Sequence, residues 1–525
     1  MDGGTAMGAL WNRRQVLGTG VAGLGMGVAG LGLAVPGHAS VTGRRPVFDV
    51  RSFGAKGDGV TIDSAAIDRA IEKAAEEGPA TVYFPPGVYA SYSIHLQSRV
   101  TLYLERGARL LAARPTGTQG YDPAEPGAGN PYQDFGHSHW HNSLIWGEGL
   151  TDIALMGHGV IDGSGLVSGG SRESAPLQGN KAISLKLCRR VVIRDLTLFN
   201  CGHFGILPTG VDDFVIRDLT IDTNRDGINI DCCHNVKITG CVVNSPNDDA
   251  IVLKSSYGLN EARLTRNVRI ADCRVSGYDL GTLLDGTKKV GPYGRTGRVK
   301  LGTESNGGFR NVLIEDVAFE HCRGLALETV DGGLLDNVVA RRLTMDQPQM
   351  PFFLRLGARM RGPAGVPVGR LRNVEISDVT TVDADPRYPS TISGIPGHDI
   401  ENVRISNVRH RLRGGLTPAD ANSNPPELET AYPEPSMFGT LPAFGFFVRH
   451  ARNIELDRVD IAFDQKDIRP AIVLRDAAHV RFAKDRCDKV PQVPTFVLDD
   501  VDDFTVTHTP PVPDTHKSHA DHLEL

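Results

Sequence analysis

Between Thr223 and Ser256 the chain reads TNRDGINIDCCHNVKITGCVVNSPNDDAIVLKSS, which holds two near-copies of one phrase. The copies are Asp226-Gly-Ile-Asn-Ile-Asp231 and Asp249-Ala-Ile-Val-Leu-Lys254, with a further acid, Asp248, beside the second. If the copies stack, Asp226 and Asp249 lie about 5 Å apart at Cβ. Like charges that close cost free energy and push one pKa upward. Hydrolysis of a glycosidic bond uses such a split, with one carboxyl protonated as acid and another ionised as base. Two plainer readings stand beside it: Asp-Gly and Asn-Asp-Asp are common turn residues, and clustered acids can bind calcium.

The elements that would position these acids follow from a repeat. An alternating phrase recurs as Val191-Val-Ile-Arg-Asp195, Phe214-Val-Ile-Arg-Asp218, Asn235-Val-Lys-Ile-Thr239, Asn267-Val-Arg-Ile-Ala271 and Asn311-Val-Leu-Ile-Glu315. It returns at Asn373, Asn402 and Asn453. Each copy is a period-2 strand after a turn residue, and the closest copies are about 22 residues apart, a period that marks a stacked solenoid. Helical periodicity is absent there, and propeller blades would be about twice as long. The expected fold is all-β, a right-handed parallel β-helix with one strand set per coil. Inward Val, Ile and Leu would form ladders, and Asn at the corners would suit a left-handed backbone. The segment Asp63–Ala75 is the clearest helix, with Ala66, Ile67, Ala70, Ile71 and Ala74 on one face and Asp63 as N-cap. It is placed over the first coil.

Composition agrees with this fold. Among 525 residues, Gly at 60 and Pro at 32 favour turns and short strands. A net charge of −6 offers no basic field for nucleic acid. Residues 1–39 read as an export signal: Asn12-Arg13-Arg14-Gln15 precedes an apolar Gly-rich run and Gly37-His-Ala39, in the manner of a twin-arginine leader. The catalytic domain is expected over 45–506, with 507–525 a loose polar tail. The mature protein is expected outside the cytoplasm and off the membrane. The cysteines, Cys241 and Cys273 among them, read as small apolar core residues. No C-x-x-C pair supports a zinc site.

Several stretches resemble a known family. Phe53-Gly-Ala-Lys-Gly-Asp-Gly59 and Val82-Tyr-Phe-Pro-Pro-Gly-Val-Tyr89 are similar to the N-terminal signature of the pectin-lyase-like β-helix superfamily. Leu144-Ile-Trp-Gly-Glu148 and Gly157-His-Gly-Val-Ile-Asp-Gly163 resemble coils of glycoside hydrolase family 28, the polygalacturonases. Asn224-Arg-Asp-Gly227 is similar to that family's Asn-Thr-Asp-Gly motif, and Asn247-Asp-Asp-Ala250 to its Gly-Asp-Asp-Cys motif. The resemblance implies an inverting hydrolase without metal or other cofactor. It implies Asp248 as general acid, and Asp226 with Asp249 as the pair that activates water.

The departures bear on substrate. Arg225 stands where the family has Thr. The family's Gly-His-Gly motif is sought at Gly277–Gly281, leaving Tyr278 or Asp279 in the place of its His. Its Arg-Ile-Lys motif falls on Ala326-Leu-Glu328, losing both cations that grip a uronate. Lys254 and Lys300, outward on adjacent coils, are the expected substitutes.

Insertions at 164–180, 287–296 and 416–441 would crowd the binding face and make the enzyme exo-acting. His137-Ser-His-Trp-His141 is read as a sugar-stacking loop with Trp140 as its platform. The aromatic stretch Tyr432–Phe447 would line the groove, cap the last coils or form an interface. The expected activity is an exported glycoside hydrolase on a pectin-like polysaccharide or oligosaccharide. A lyase using Arg225 or Lys254 as base, and a non-catalytic carbohydrate-binding β-helix, are the competing readings.

Overall fold

In the computed structural model, residues 45–125, 132, 136–168, 175–292 and 294–525 are described. The expected export signal at 1–39 lies outside them. The chain winds into a right-handed parallel β-helix whose strands pair coil upon coil. The repeated phrase builds the core. Ile193, Ile216, Ile238, Ile270 and Ile314 stand in register, followed by Ala340, Ile376, Ile405 and Leu456. All are fully buried, so each coil buries the apolar face that its neighbour would otherwise expose.

The corner asparagines form the expected ladder. Asn235, Asn267, Asn311, Asn337, Asn373, Asn402 and Asn453 all have φ between 55° and 58°. Asn267 donates to Asn235 at 3.0 Å, Asn311 to Asn267 at 3.0 Å, Asn337 to Asn311 at 2.8 Å and Asn453 to Asn402 at 2.9 Å. Asn tolerates this left-handed corner better than other residues with a Cβ, and its amide both donates and accepts along the stack.

Helix α1 (Ser64–Glu77) covers the first coil with Ala66, Ile67, Ala70, Ile71 and Ala74 buried, as the pattern predicted. Asp63 stands at its N-cap but gives no capping bond. Its carboxylate instead accepts from the backbone N–H groups of Lys56 at 2.7 Å and Gly57 at 3.0 Å, which fixes the preceding Gly-rich turn. All eight cysteines are free and buried. The expected loose tail is corrected: Thr515–Glu524 is a strand, antiparallel to Phe496–Thr507. Alternating His and Asp pairs, such as His519 with Asp502 at 2.7 Å and His522 with Asp499 at 2.7 Å, reward its ordering.

One sheet carries the acids. Its successive strands are β1 (Lys181–Lys186), β2 (Phe204–Thr209), β3 (Asp226–Asp231), β4 (Ile251–Ser255), β5 (Val299–Ser305) and β6 (Leu325–Thr329). Every residue of β2 through β6 is buried. One face packs in the core, and the other lies beneath loops.

Candidate active site

The repeat stacks the acids as its spacing requires. β3 and β4 pair with Ile228 opposite Ile251 and Ile230 opposite Leu253, and Gly227 N donates to Asp249 O at 3.1 Å. Asp226, Asp248 and Asp249 each bring a carboxylate oxygen within 4.8 Å of the other two. Asp226 and Asp249 are 3% and 2% exposed, whereas the Asp248 side chain keeps 25% of its surface. Asp248 is therefore the acid that faces outward.

The surroundings divide the three. Burial, then the charge of Asp248, pushes the Asp226 carboxyl well above the usual carboxylate range, against the pull of Lys254. Asn229 Nδ2 donates to Asp226 Oδ2 at 2.6 Å, while Asp226 Oδ1 is buried with no hydrogen-bond partner. Burial would raise Asp249 as well, but the positive charges of Arg298, Lys300 and Lys254 outweigh it and hold Asp249 below its ordinary value. Arg298 Nε donates to Asp249 Oδ1 at 2.6 Å, and Lys300 Nζ lies 3.8 Å from Oδ2. Arg225 pairs with Asp248 at 2.7 Å and borders His203, 3.5 Å away. Burial, then the positive charge of Arg225, pushes that imidazole down to about 2, so it is neutral.

The remaining residues expected to bind substrate are placed differently. Lys254 and Lys300 do project from the outward side of adjacent strands, but they are buried and already partnered. Lys254 meets Glu304 at 2.5 Å, and Lys300 meets Glu328 at 3.3 Å and the Thr303 hydroxyl at 2.7 Å. Asp231 lies opposite Lys254 and accepts from Ser256 N at 2.8 Å. Burial pushes Glu328 upward despite Lys300 and Arg298.

Tyr278 and Asp279 are not at the acids. Tyr278 stacks on His321 with ring centroids 5.9 Å apart and reaches Glu320 at 3.4 Å, and burial pushes its phenol up to about 12. Asp279 belongs to the turn that it shares with Thr282 and Lys289. The reason is topological: the chain from Tyr278 to Thr296 is an excursion, and the coil stacked on β4 begins only at Arg298, with Ile251 opposite Val299.

Three residues that sequence reasoning left without a role thus belong to the site, Arg298, Glu304 and His203, and His137 of the expected sugar-stacking loop joins them. Arg298 sits one position ahead of a strand that alternation does reveal, so correct register would have found it. His137 Nε2 lies 3.2 Å from Asn229 Nδ2, roofing β3 from one side. Trp140 is not a platform: it is buried, its indole N–H donates to Thr209 at 3.0 Å, and Lys186 lies 4.5 Å from its ring.

The 416–441 insertion closes the other side. The Tyr432 hydroxyl is 3.5 Å from Lys300 Nζ, and Glu434 pairs with Arg323 and faces Arg298 Nη1 at 3.6 Å. Phe438 packs under the Arg449 guanidinium, with its centroid 4.6 Å away. The aromatic stretch therefore walls the site.

Comparison with known proteins follows the same lines. A profile of the family described as "Rhamnogalacturonase A/epimerase, pectate lyase-like" matches residues 47–279. A "Probable polygalacturonase" of Vitis vinifera is 28% identical over 389 residues, covering 69% of this chain and 73% of its own. An "Exopolygalacturonase clone GBGA483" of Arabidopsis thaliana is 26% identical over 405 residues, covering 72% and 80%. Among solved structures, the family 28 exopolygalacturonase of Yersinia enterocolitica superposes with a TM-score of 0.51 at 19% identity, over 89% of this chain and 79% of that one. That likeness speaks for the fold.

Proposed function

We propose that this chain, a polygalacturonase-like glycoside hydrolase on the pectin-lyase-like β-helix, releases terminal residues from pectin-type chains by an inverting mechanism, outside the cytoplasm. The observation that carries the reading is the division of three carboxyls within 4.8 Å of one another into one whose burial favours its protonated form and one that neighbouring cations favour ionised. Asp249, ionised beside Arg298, accepts the proton of the attacking water. Asp226 orients that water, and its resting proton passes across its contact with Asp248. Asp248, the outward carboxyl, gives a proton to the leaving glycosidic oxygen. Water adds at the anomeric carbon as the glycosidic bond breaks, and the configuration inverts.

The walls support action at chain ends. His137 stands over β3, and Tyr432 with Glu434 over β5, so the acids sit in a bounded pocket. The lyase reading loses its base: Lys254 is held charged by Glu304 after the cost of its burial is met, and Arg225 is engaged with Asp248. A cation held by the acid trio would meet Arg298, Lys300 and Lys254, whose charge opposes it. Among the described residues no helix is long and apolar enough to cross a membrane. Export rests on Arg13-Arg14, and lysine at both positions is expected to leave the protein in the cytoplasmic fraction.

The deciding experiment follows the anomeric signals of product by NMR during digestion of pectic oligosaccharides. The axial-to-equatorial product of inversion is expected first, with Asp248→Asn lowering kcat by about 10²–10⁴-fold. Unsaturated product absorbing in the ultraviolet, or full activity in Asp248→Asn, overturns the reading.

A further inference from the structure

On a different sheet, several coils beyond the acids, a cavity of about 560 Å³ is lined by Arg409, Arg458, Lys484 and Arg486, with Asp378 and Asp460 as its acids. Four cations against two carboxylates give this lining an excess of two positive charges, in a chain whose net charge is −6. We propose that this cavity is a second carbohydrate site, which holds an extended polyuronate strand along the solenoid axis while the acid trio works on a chain end.

The column of side chains sets the ligand's direction. Thr344 lies opposite Thr380, Thr380 opposite Arg409, Arg409 opposite Asp460 and Asp460 opposite Arg486. Each step is one coil, about 4.8 Å, close to the length of one pyranose residue. A linear polyuronate presents one carboxylate per residue. Laid along this column it meets hydroxyls at Thr344 and Thr380 and guanidinium groups at Arg409 and Arg486. The carboxylate of Asp460 spaces the two guanidinium groups two coils apart, which favours a ligand that can be served at alternate residues.

The corner beside the column supplies the rest. Here the polar ladder runs from Asp378 to Asn407, which donates to it at 3.1 Å, and on to Arg458, whose Nε donates to Asn407 at 2.6 Å. Arg458 also meets Asp457 at 2.5 Å. The next corner residue is Lys484; Arg458 and Lys484 share the left-handed conformation, with φ of 59° each. Most of the earlier residues at this corner are acidic, among them Asp218, Asp272, Asp316 and Asp378, whereas Arg458 and Lys484 set two like charges one coil apart. Among the described residues, Arg409, Lys484 and Arg486 make no side-chain hydrogen bond or ion pair. Like charges gathered in one concavity repel, and an anionic chain relieves that repulsion.

The ligand class rests on the proposed function, but the test separates the two. Retention of Asp248→Asn protein is measured in gels containing polygalacturonate, so that the matrix survives. A second protein adds Arg409→Ala, Lys484→Ala and Arg486→Ala. The triple change is expected to weaken retention at least tenfold and to flatten its dependence on salt, by roughly two units of log–log slope. In the otherwise unaltered enzyme it is expected to slow hydrolysis of long chains and to leave that of trisaccharides within twofold. Unchanged retention overturns the proposal, as does equal loss of retention on single-stranded DNA, which would mark a general anion exchanger. Triple-dependent retention in a protein without hydrolytic activity would keep this site and discard the proposed function.

Discussion

The acid trio works through a contrast between neighbours. Asp226 has a buried oxygen without a partner, and Asp249 has a guanidinium on it. Activity requires Asp226 to keep its proton and Asp249 to lose its own. It therefore falls as pH rises through the raised value of Asp226, and again as pH falls through the lowered value of Asp249. The kcat/KM profile is expected to be a bell whose basic limb lies above the ordinary carboxylate range. Arg298→Ala removes the leading charge that holds Asp249 ionised. The acid limb should then move up and kcat should drop by about 10²-fold, with the basic limb moving less. A profile displaced as a whole would show that Arg298 does not act through Asp249.

At the scale of elements, loops and corners divide the labour. The corners hold the stack. Asn311 has φ 57°, donates to Asn267 and accepts from Asn337. Asn311→Ala is expected to cost about 1–3 kcal/mol, from a strained left-handed alanine and lost ladder bonds, read as a lower urea midpoint at unchanged slope. The loops decide where a polymer is cut. Replacing 422–439 by a short Gly-Ser link removes Tyr432 and Glu434 from above Lys300 and Arg298. The product pattern should shift from single terminal residues to mixed lengths, seen by size-resolved chromatography. A pattern that stays terminal would place the barrier at His137 instead.

The whole molecule is a stack whose ends must be closed. At one end α1 buries its apolar face on the first coil. At the other, Thr515–Glu524 runs antiparallel along Phe496–Thr507 and takes up the hydrogen bonds of that last strand. Removing residues 513–525 exposes a twelve-residue edge, the kind of edge that pairs with other chains. The truncated protein is expected to associate, seen as a rise in light scattering with concentration, while its core stays folded.

What the sequence determined by itself is what repeats. The Val-x-Ile phrase named the β-helix because its period places each Ile on the one before, and local patterning needs no long-range information to show that. The same period brought Asp226 under Asp249, and Asp248 beside them. The fate of the cations was settled by tertiary structure alone. Lys254 and Lys300 read as outward residues, and they are, but loops at 136–143 and 416–441 cover that face, where Lys254 pairs with Glu304 and Lys300 with Glu328 from neighbouring strands and with Tyr432 from the insertion. Tyr278 and Asp279 were misplaced because an excursion between coils has no period from which to count. Arg298 was missed because the same excursion hid the register of its coil, whose strand begins at the next residue, Val299. Strand pairing follows from neighbours in the repeat, whereas the burial of the outward face depends on loops that come from far along the chain.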